Sequence, residues 1–300
     1  MSSKRKKSGF TYYFNGLRAV VDECVYRMQT VIESKRRYFA ALSKQGFKRT
    51  FILCYPEKPE SLHSLYAICH SLGLIVTNNP REKAAAVMHF EDVTLREHNP
   101  VLAEIAKHRH VINARCNDIG KEHVEKIFQK VFGYGMKVDP RTHVGACVRK
   151  SNDNAVHDGV VVACPTEPEK EYLYQKLVNN QEDDMVVDIR LSIFNDKIPL
   201  AYLRYKKLDD RFDNTIRSVR VPVESIITED EARKVIRFCK EFGLEYGELD
   251  TLRDKDDGKL YIVDANNTPW GPRPSYHVSP AEYEIFLKTA SAAFASEFMK

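Results

Sequence analysis

The sequence predicts an α/β fold of the mixed (α+β) kind, in which a unit of alternating strands and helices precedes a strand-rich unit. Two observations indicate this fold class. Over residues 46–118, short β-branched and aromatic runs alternate with helical apolar spacing, and this alternation is typical of a parallel sheet. Over residues 136–220, strand-like runs instead follow one another.

The elements of the first third follow in order from these patterns. Residues 11–45 carry apolar side chains at helical spacing and predict a long helix that ends near Gly46. Strands are then predicted at residues 50–55, 74–77, 85–90 and 110–113, and helices at residues 60–71 and 100–107. The basic run at residues 4–7 has two interpretations, a disordered tail or a nuclear signal or phosphate-binding patch.

The remaining two thirds begin with a predicted helix at residues 121–132. Strands are predicted at residues 146–150, 159–164, 173–177, 185–194, 198–205 and 218–221. Residues 228–231 have capping-box spacing and begin a helix that ends at Gly243. The Asp-Gly pair at residues 257–258 predicts a hairpin with a tight type I′ turn, and Ser-Pro at residues 279–280 begins a last helix.

Composition excludes several classes of protein. Of the 300 residues, 43% are hydrophobic and 29% are charged, which is ordinary for a soluble globular protein. The formal net charge of +4 is small and does not indicate a nucleic-acid partner. No apolar run approaches the roughly 18 residues that a membrane helix needs, and no signal core follows the basic N-terminus. We therefore expect a cytoplasmic protein without a membrane partner.

The cysteines indicate reduced thiols. Their number is odd and no CxxC pair occurs, which argues against a disulfide framework and against a zinc site. The seven positions are Cys24, Cys54, Cys69, Cys116, Cys147, Cys164 and Cys239.

Two acidic residues and an amide lie close together on the predicted hairpin. Asp250 lies on its first strand, and Asp264 and Asn266 lie two apart on its second, where they share one face. Carboxylate and amide oxygens suit Mg²⁺, which fills its other positions with water and phosphate. The alternative is a polar turn before Pro269, and Asp250 upstream favours the metal site. A calcium loop is a poor alternative, because Gly258 stands one place too early for one.

Cationic residues that could neutralise phosphate precede this hairpin. Lys150 ends an apolar strand, and Asp188 and Arg190 lie on a later one. Arg204 lies on the strand after that. Each alone could be a solvated surface charge, but their order favours a site for a nucleotide with Mg²⁺.

With these residues, the chain from residue 121 to residue 273 resembles the ATP-grasp superfamily. The resemblance is to carboxylate–amine ligases of the glutathione synthetase and ribosomal-protein glutamate ligase type. It implies an ATP-grasp fold preceded by the α/β domain that accompanies it. The implied divisions are an N-terminal tail and helix (1–45), a pre-ATP-grasp domain (46–118), a lid subdomain (119–177) and a C-terminal subdomain with the metal site (178–300).

The resemblance also implies a role for each matching residue. The cofactor-binding set contains phosphate-facing lysines, a strand whose main chain contacts adenine, an acidic residue and a loop amide: Lys121, Lys150, Gln175, Lys176, Leu177, Asp188 and Asn214. Arg190 and Arg204 are the catalytic pair, which would hold the substrate carboxylate or the acyl phosphate. The metal ligands are Asp250, Asp264 and Asn266, although the family often has Glu where Asp264 stands. The lid loop at residues 151–159 has one glycine where the family usually has several.

The activity that the resemblance implies is ATP-dependent ligation. A substrate carboxylate attacks the γ-phosphate of ATP, and an amine then displaces phosphate from the acyl phosphate. The cofactors would be ATP and Mg²⁺, with Mn²⁺ as an alternative metal, and the partners a small-molecule or peptide carboxylate and amine. A homodimer stays open. The alternative functions are an ATP-grasp kinase for a small-molecule hydroxyl and a nucleotide-binding regulatory protein without turnover. Trp270 either shapes the acceptor pocket or belongs to the core.

Overall fold

The structure is a computed structural model that describes residues 9–299 except residues 155, 157, 213–214 and 273–277, and for residues 9–23 it describes the backbone alone. Its α-helices are α1 Gly9–Lys44, α2 Ser64–Ser71, α3 Pro100–Ala106, α4 Lys121–Phe132, α5 Glu229–Phe242 and α6 Pro280–Phe298. Its strands are β1 Thr50–Pro56, β2 Leu74–Thr77, β3 Ala84–Phe90, β4 Gly145–Ser151, β5 Val160–Cys164, β6 Tyr172–Lys176, β7 Gln181–Glu182, β8 Met185–Phe194, β9 Lys197–Lys207, β10 Arg217–Val221, β11 Tyr246–Arg253 and β12 Leu260–Asn266.

The N-terminal unit is built on a parallel sheet, as the alternation of strands and helices predicts. β1 lies at its centre and pairs in parallel with β2 on one side and β3 on the other. Ile52 and Leu53 of β1 and Met88 of β3 are buried, because parallel strands are usually covered on both faces. Asn99 caps the N-terminus of α3: its Oδ1 accepts the Val101 amide at 3.1 Å and thereby satisfies an otherwise unpaired helix donor.

The strands of the second unit are antiparallel and form two sheets. The large sheet has the order β10-β9-β8-β11-β12, with the short β7 paired to β8. The smaller sheet, which we call the lid sheet, has the order β5-β4-β6. Most of the paired strands in the two sheets are consecutive in the chain, and the exceptions are β4 with β6 and β8 with β11. The succession of strand-like runs in the sequence therefore largely reflects local antiparallel pairing.

Helices cover the large sheet on two sides. α4 and α5 contribute Phe128 and Phe238 to a core that includes Leu249 of β11. A second core joins Phe294 of α6 and Tyr246 of β11 to the N-terminal sheet. The first core binds the helices to the large sheet, and the second fixes the N-terminal unit against it.

A buried asparagine joins the two units where the sequence predicts a strand at residues 110–113. That prediction is wrong: Ile112 makes a single parallel bridge to Met88, and Asn113 has a φ of 59°. The Asn113 Oδ1 accepts the Glu245 and Tyr246 amides at 2.8 and 2.9 Å, and its Nδ2 donates to the Tyr246 carbonyl at 2.7 Å. Because the backbone of Asn113 is left-handed, the chain cannot continue as an extended strand at this residue, and the Asn113 side chain reaches β11 instead.

Two further boundaries differ from the sequence-based predictions. α2 begins at Ser64, because the preceding turn is closed by the Glu60 amide, which donates to His63 Nδ1 at 3.0 Å. The β11–β12 connection is a six-residue loop at 254–259, so the predicted two-residue type I′ turn is wrong. Buried Asp254 accepts the Asp256 amide at 2.9 Å and organises this wider loop.

Two findings concern the chain outside the site. All seven cysteines are free, and five of them are buried. In the part of the chain that the structure describes, none of the helices is long and apolar enough to cross a membrane.

Two glycines at helix C-termini provide a test of packing between the units. Gly133 and Gly243 have φ values of 81° and 80°, so alanine at either position costs about 1–2 kcal/mol of backbone strain. A Cβ at Gly243 would lie 2.6 Å from the Arg115 carbonyl carbon, whereas one at Gly133 meets nothing within 4 Å. We expect Gly243→Ala to lower the free energy of unfolding in urea by about 1–3 kcal/mol more than Gly133→Ala. Equal losses would contradict the close approach of Arg115.

Candidate active site

The predicted site residues meet in one cavity between the lid sheet and the large sheet. The cavity has a volume of about 280 Å³. Of the predicted residues, it is lined by Lys121, Lys150, Gln175, Lys176, Leu177, Asp188, Arg190, Arg204, Asp250, Asp264 and Asn266. Asn214 lies outside the described residues. The two sheets that form the cavity are separate, so residues distant in the sequence reach it from opposite sides.

Strand register places the charged residues of the large sheet in rows. Arg190 of β8 lies opposite Asp250 of β11, which in turn lies opposite Asp264 of β12. One step along, Asp188 of β8 lies opposite Arg204 of β9. Because residues two apart on a strand share a face, these rows bring the side chains to the cavity side of the sheet.

The centre of the site is a bidentate ion pair. Arg190 donates from Nε and Nη2 to the two oxygens of Asp250 at 2.7 and 2.8 Å, and from Nη1 to Glu248 at 3.0 Å. Arg204 Nη1 reaches the Asp250 oxygens at 3.2 and 3.3 Å. Burial acts to raise the pKa of Asp250, but the two guanidinium groups outweigh it and hold that pKa well below its usual range.

Two further pKa shifts in the centre are caused mainly by burial. Burial lowers the pKa of Arg204, and the neighbouring Arg190 lowers it further. Burial raises the pKa of Glu248, and the neighbouring Asp250 acts in the same direction. Asp250 is shared between two cations, and its bonds from Arg204 are longer than those from Arg190.

Asp264 faces Asp250 across the strand pair and accepts no hydrogen bond at one of its oxygens from the described residues. Its Oδ1 is buried and has no hydrogen-bond partner among the described residues. Burial raises the pKa of Asp264, and the facing Asp250 raises it further. Two residues on, Asn266 Oδ1 accepts the Thr268 amide at 2.9 Å. An unpartnered buried carboxylate oxygen between a second carboxylate and an amide oxygen fits a hard divalent cation.

The protein supplies few ligands for such a cation. Among the described residues there is no cluster of three or more His, Cys, Asp or Glu side chains able to hold a metal. Mg²⁺ typically binds through one or two carboxylates and completes its octahedron with water and phosphate. The donor set therefore fits Mg²⁺ delivered with a nucleotide better than a permanently bound structural metal.

Lysines approach the cavity from the lid side. Lys150 ends β4 and donates to the Val263 carbonyl at 3.5 Å. Burial lowers its pKa to about 8, although the charge of Asp264 opposes the shift. Lys121 begins α4 and donates to the Asp153 carbonyl in the lid loop. Both lysines thus lie at the loop, where the Ser151 amide is held by Asp158 at 3.2 Å.

The residues predicted to contact adenine lie at the end of β6, where their side chains and amides are bonded to neighbouring protein groups. Gln175 is buried and donates to Glu125 at 3.2 Å, and the Lys176 amide donates to the Met136 carbonyl at 2.7 Å. The Lys176 ammonium turns to the β11–β12 loop, where it pairs with Asp254 at 2.6 Å. These side chains position the strand, and Leu177 follows directly at the cavity wall.

Solved structures identify the fold that carries this cavity. A D-alanine–D-alanine ligase from Bacillus anthracis, solved with ATP, is 12% identical to this chain, with a TM-score of 0.50 over 83% of this chain and 94% of the ligase. This chain has the ATP-grasp fold. The resemblance stated from the sequence is confirmed at the level of the fold.

Two further ATP-grasp structures are similar. The ATP-grasp ligase PsnB, solved with a minimal precursor, Mg and ADP, is 16% identical over 84% of this chain and 97% of its own, with a TM-score of 0.46. A RimK domain ATP-grasp protein from Sphaerobacter thermophilus DSM 20745 is 9% identical over 84% of this chain and 100% of its own, with a TM-score of 0.46. In two other PsnB complexes, this chain spans 65% of the solved chain. No protein-family model and no curated protein matches this chain.

The sequence analysis missed three charged residues in and around the cavity, of which Lys206 and Arg211 line it and Glu248 does not. Lys206 pairs with Asp188 at 2.6 Å, and Glu248 contacts Arg190. Each lies two positions from a predicted residue on the same strand, so period-two spacing could have found both. Arg211 also lines the cavity and donates to Asn180 at 2.8 Å, but it follows β9 in a loop where no periodicity marks it.

The central ion pair generates a prediction about stability. Removing Arg190 takes the main partner away from Glu248, which is buried, and from Asp250, which is partly buried. Removing Arg204 leaves the bidentate pair of Arg190 and Asp250 intact. We expect Arg190→Met to lower the free energy of unfolding by about 3–5 kcal/mol at pH 7, and Arg204→Met to lower it clearly less.

The same pair of variants gives a pH dependence. Without Arg190, burial raises the folded-state pKa of Glu248 further above its unfolded value, so the folded variant gains protons as pH falls. The loss of unfolding free energy that Arg190→Met causes, relative to the unmodified chain, should therefore be smaller at pH 5 than at pH 7. Urea unfolding at both pH values measures it. A deficit that grows at pH 5, or equal losses in the two variants, would contradict this account.

Proposed function

We propose that this chain is an ATP- and Mg²⁺-dependent ligase that joins a carboxylate to an amine through an acyl phosphate and releases ADP and phosphate. The observation that carries the proposal is the buried, unpartnered Oδ1 of Asp264, which lies in one cavity with Lys150 and the Arg190–Arg204 pair. The cavity thus combines a vacant oxygen ligand for a cation with several cations for phosphate. The ATP-grasp fold supports the same function, and the ligase with the TM-score of 0.50 was solved with ATP.

The residues divide into groups around the nucleotide. Lys121 and Lys150 would contact the phosphates from the lid. The base would lie against the main chain at residues 176–177, and it would use the Lys176 carbonyl and the Leu177 amide because the Lys176 amide is already bonded to Met136. Asp250, Asp264 and Asn266 would hold Mg²⁺, which when bound neutralises charge on the β- and γ-phosphates. Asp188 would act indirectly, by orienting Lys206 at 2.6 Å.

The arginines account for the proposed acyl transfer. Arg204 makes only long contacts to Asp250, so its guanidinium can bind the carboxylate substrate and then the acyl phosphate. The carboxylate oxygen forms a bond to the γ-phosphorus as the bond to ADP breaks. The amine nitrogen then bonds to the acyl carbon, phosphate leaves, and the nitrogen loses a proton. The protein contributes positioning and electrostatic stabilisation, and no covalent enzyme intermediate is needed.

Reaction products test the function directly. We expect Mg-ATP with a panel of amino acids and dipeptides as carboxylates to release ADP and phosphate, without AMP. Hydroxylamine in the same mixture should trap the activated acyl group as a hydroxamate, which is detected with ferric ion. A stable phosphorylated alcohol formed with ADP, and no hydroxamate, would replace the ligase proposal with the kinase alternative.

The role of Asp264 is tested by an isosteric substitution. We expect Asp264→Asn to reduce turnover at least about 100-fold, a barrier increase of about 2.7 kcal/mol, because the metal loses a charged ligand. The free energy of unfolding should stay the same or rise, since the change removes repulsion from Asp250. The control is Asp230→Asn, a carboxylate paired with Lys234 at 2.8 Å on the exposed start of α5. Activity of Asp264→Asn within about threefold of the unmodified chain would count against metal binding.

A further inference from the structure

Two cysteines of the lid sheet lie side by side. Cys147 of β4 and Cys164 of β5 are free thiols, and their sulfur atoms are 3.1 Å apart. The two sulfurs would need to approach each other by only about 1 Å to form a disulfide bond. The fold thus brings together two thiols that are 17 residues apart in the chain.

The register of β4 and β5 accounts for this contact. Cys147 lies opposite Val162, and Cys164 lies opposite Gly145, two residues before Cys147. Because residues two apart on a strand share a face, both cysteines lie on the same face of the lid sheet. Gly145 has no side chain to fill the place opposite Cys164, so the Cys164 side chain can lean along the sheet to Cys147.

The two thiols differ in their access to solvent. Cys147 is fully buried, whereas Cys164 is partly exposed. Burial raises the pKa of the Cys147 thiol, and the hydrogen bond with Cys164 raises it further. An oxidant that comes from solvent would therefore meet the sulfur of Cys164 first, and Cys147 would be the second thiol to react.

The thiol pair lies in the hairpin that carries a lysine of the cavity. Val148 and Lys150 of β4 line the cavity, and Cys147 lies on the other face of the lid sheet because successive side chains alternate. β5 is the edge strand of this sheet and, among the described strands, pairs with β4 alone. A bond between the cysteines would therefore pin the edge strand to β4 from the face opposite the cavity.

We propose that Cys147 and Cys164 are a thiol modification site, at which a hydroperoxide oxidises the two thiols to a disulfide that pins β5 to β4. The Cys164 thiolate attacks a peroxide oxygen, the O–O bond breaks, and Cys164 becomes a sulfenic acid while water or an alcohol leaves. The Cys147 sulfur then attacks the Cys164 sulfur, its proton joins the departing hydroxide as water, and the S–S bond forms. The thiols lose two electrons in total, and the peroxide gains them.

The modification is reversible. Cys164 is partly exposed, and exposed disulfides are the ones that thiols reduce readily. Two molecules of glutathione return the pair to the reduced state and leave as one molecule of glutathione disulfide, so the electrons balance.

Peptide mapping tests the bond on the full chain. The chain is treated with hydrogen peroxide, free thiols are blocked with N-ethylmaleimide, and trypsin then separates residues 142–149 from residues 151–170. We expect a disulfide to join these two peptides and glutathione to separate them when it is added before the block. Two separate peptides labelled with N-ethylmaleimide after peroxide treatment, or a bond from Cys164 to a different cysteine, would overturn the proposal.

Variants assign the order of attack. Cys147→Ala removes the second thiol, so the sulfenic acid at Cys164 should persist and be captured by dimedone. Cys164→Ser changes a partly exposed position and should leave Cys147 reduced after peroxide. Cys24→Ser is the matched control, because that exposed thiol lies on α1 and its loss should not affect the disulfide. Capture of Cys147 in Cys164→Ser, with no capture of Cys164 in Cys147→Ala, would overturn this order.

Hydrogen exchange measures whether the bond pins β5. Amides of an edge strand exchange when the strand opens locally, so residues 160–164 should exchange at least about fivefold more slowly in the oxidised chain than in the reduced chain. In Cys164→Ser, peroxide should leave this exchange unchanged, and β12 serves as the reference within each sample. Equal exchange of β5 in the oxidised and reduced forms of the unmodified chain would overturn the pinning.

One consequence for the cavity rests on the proposed function, in which Lys150 contacts the phosphates. We expect a fluorescent derivative of ADP, with Mg²⁺, to dissociate at least about threefold more slowly from the oxidised chain, because the β4–β5 hairpin opens less freely. If the derivative binds neither form, the proposed function is wrong and the disulfide stands. If it binds both forms and dissociates at equal rates, the modification does not control the cavity.

Discussion

The structure of the site depends on one buried interaction, the bidentate pair between Arg190 and Asp250. It joins β8 to β11 at the centre of the large sheet, with bonds of 2.7 and 2.8 Å to the two carboxylate oxygens. A slip of one residue in register would move both side chains to the opposite face and leave each charge among the helices of the core. The pair therefore selects the register that also aligns Asp264 and Arg204 with the cavity.

The site is not neutral or complete in itself. Asp250 is shared between two guanidinium groups, while Asp264 keeps a buried oxygen that has no partner among the residues described. Burial also lowers the pKa of Lys150 to about 8. Such groups destabilise the folded state when they have no ligand. A bound anion with a divalent cation would reverse each of these costs, since the anion pairs with the cations and the metal pairs with Asp264. Under the proposed function, these groups would be preorganised for a charged ligand.

The junction of the two units lies next to the end of β12. Asn113 ties the N-terminal unit to β11 through the Glu245 and Tyr246 main chain, and Ser64 donates to the Pro269 carbonyl just beyond β12. These contacts are largely buried hydrogen bonds between rigid elements. They fix the N-terminal unit relative to the end of β12. A reaction that requires two substrates to meet at one point would benefit from this fixed geometry.

Local patterns in the sequence determined the helices, most strands and the residue types of the site. Period-two spacing put Asp264 and Asn266 on one face, and the capping box at Thr228 is present as predicted. Only the tertiary structure decided which groups stay unpaired. Among the described residues, Asp264 Oδ1 lacks a partner while Asp250 has two arginines, and this difference depends on pairing across four strands. That His63 lies near Asp92 depends on contacts between segments far apart in the chain. Residue spacing specifies the face of a strand, but the neighbours on that face are set by register and packing.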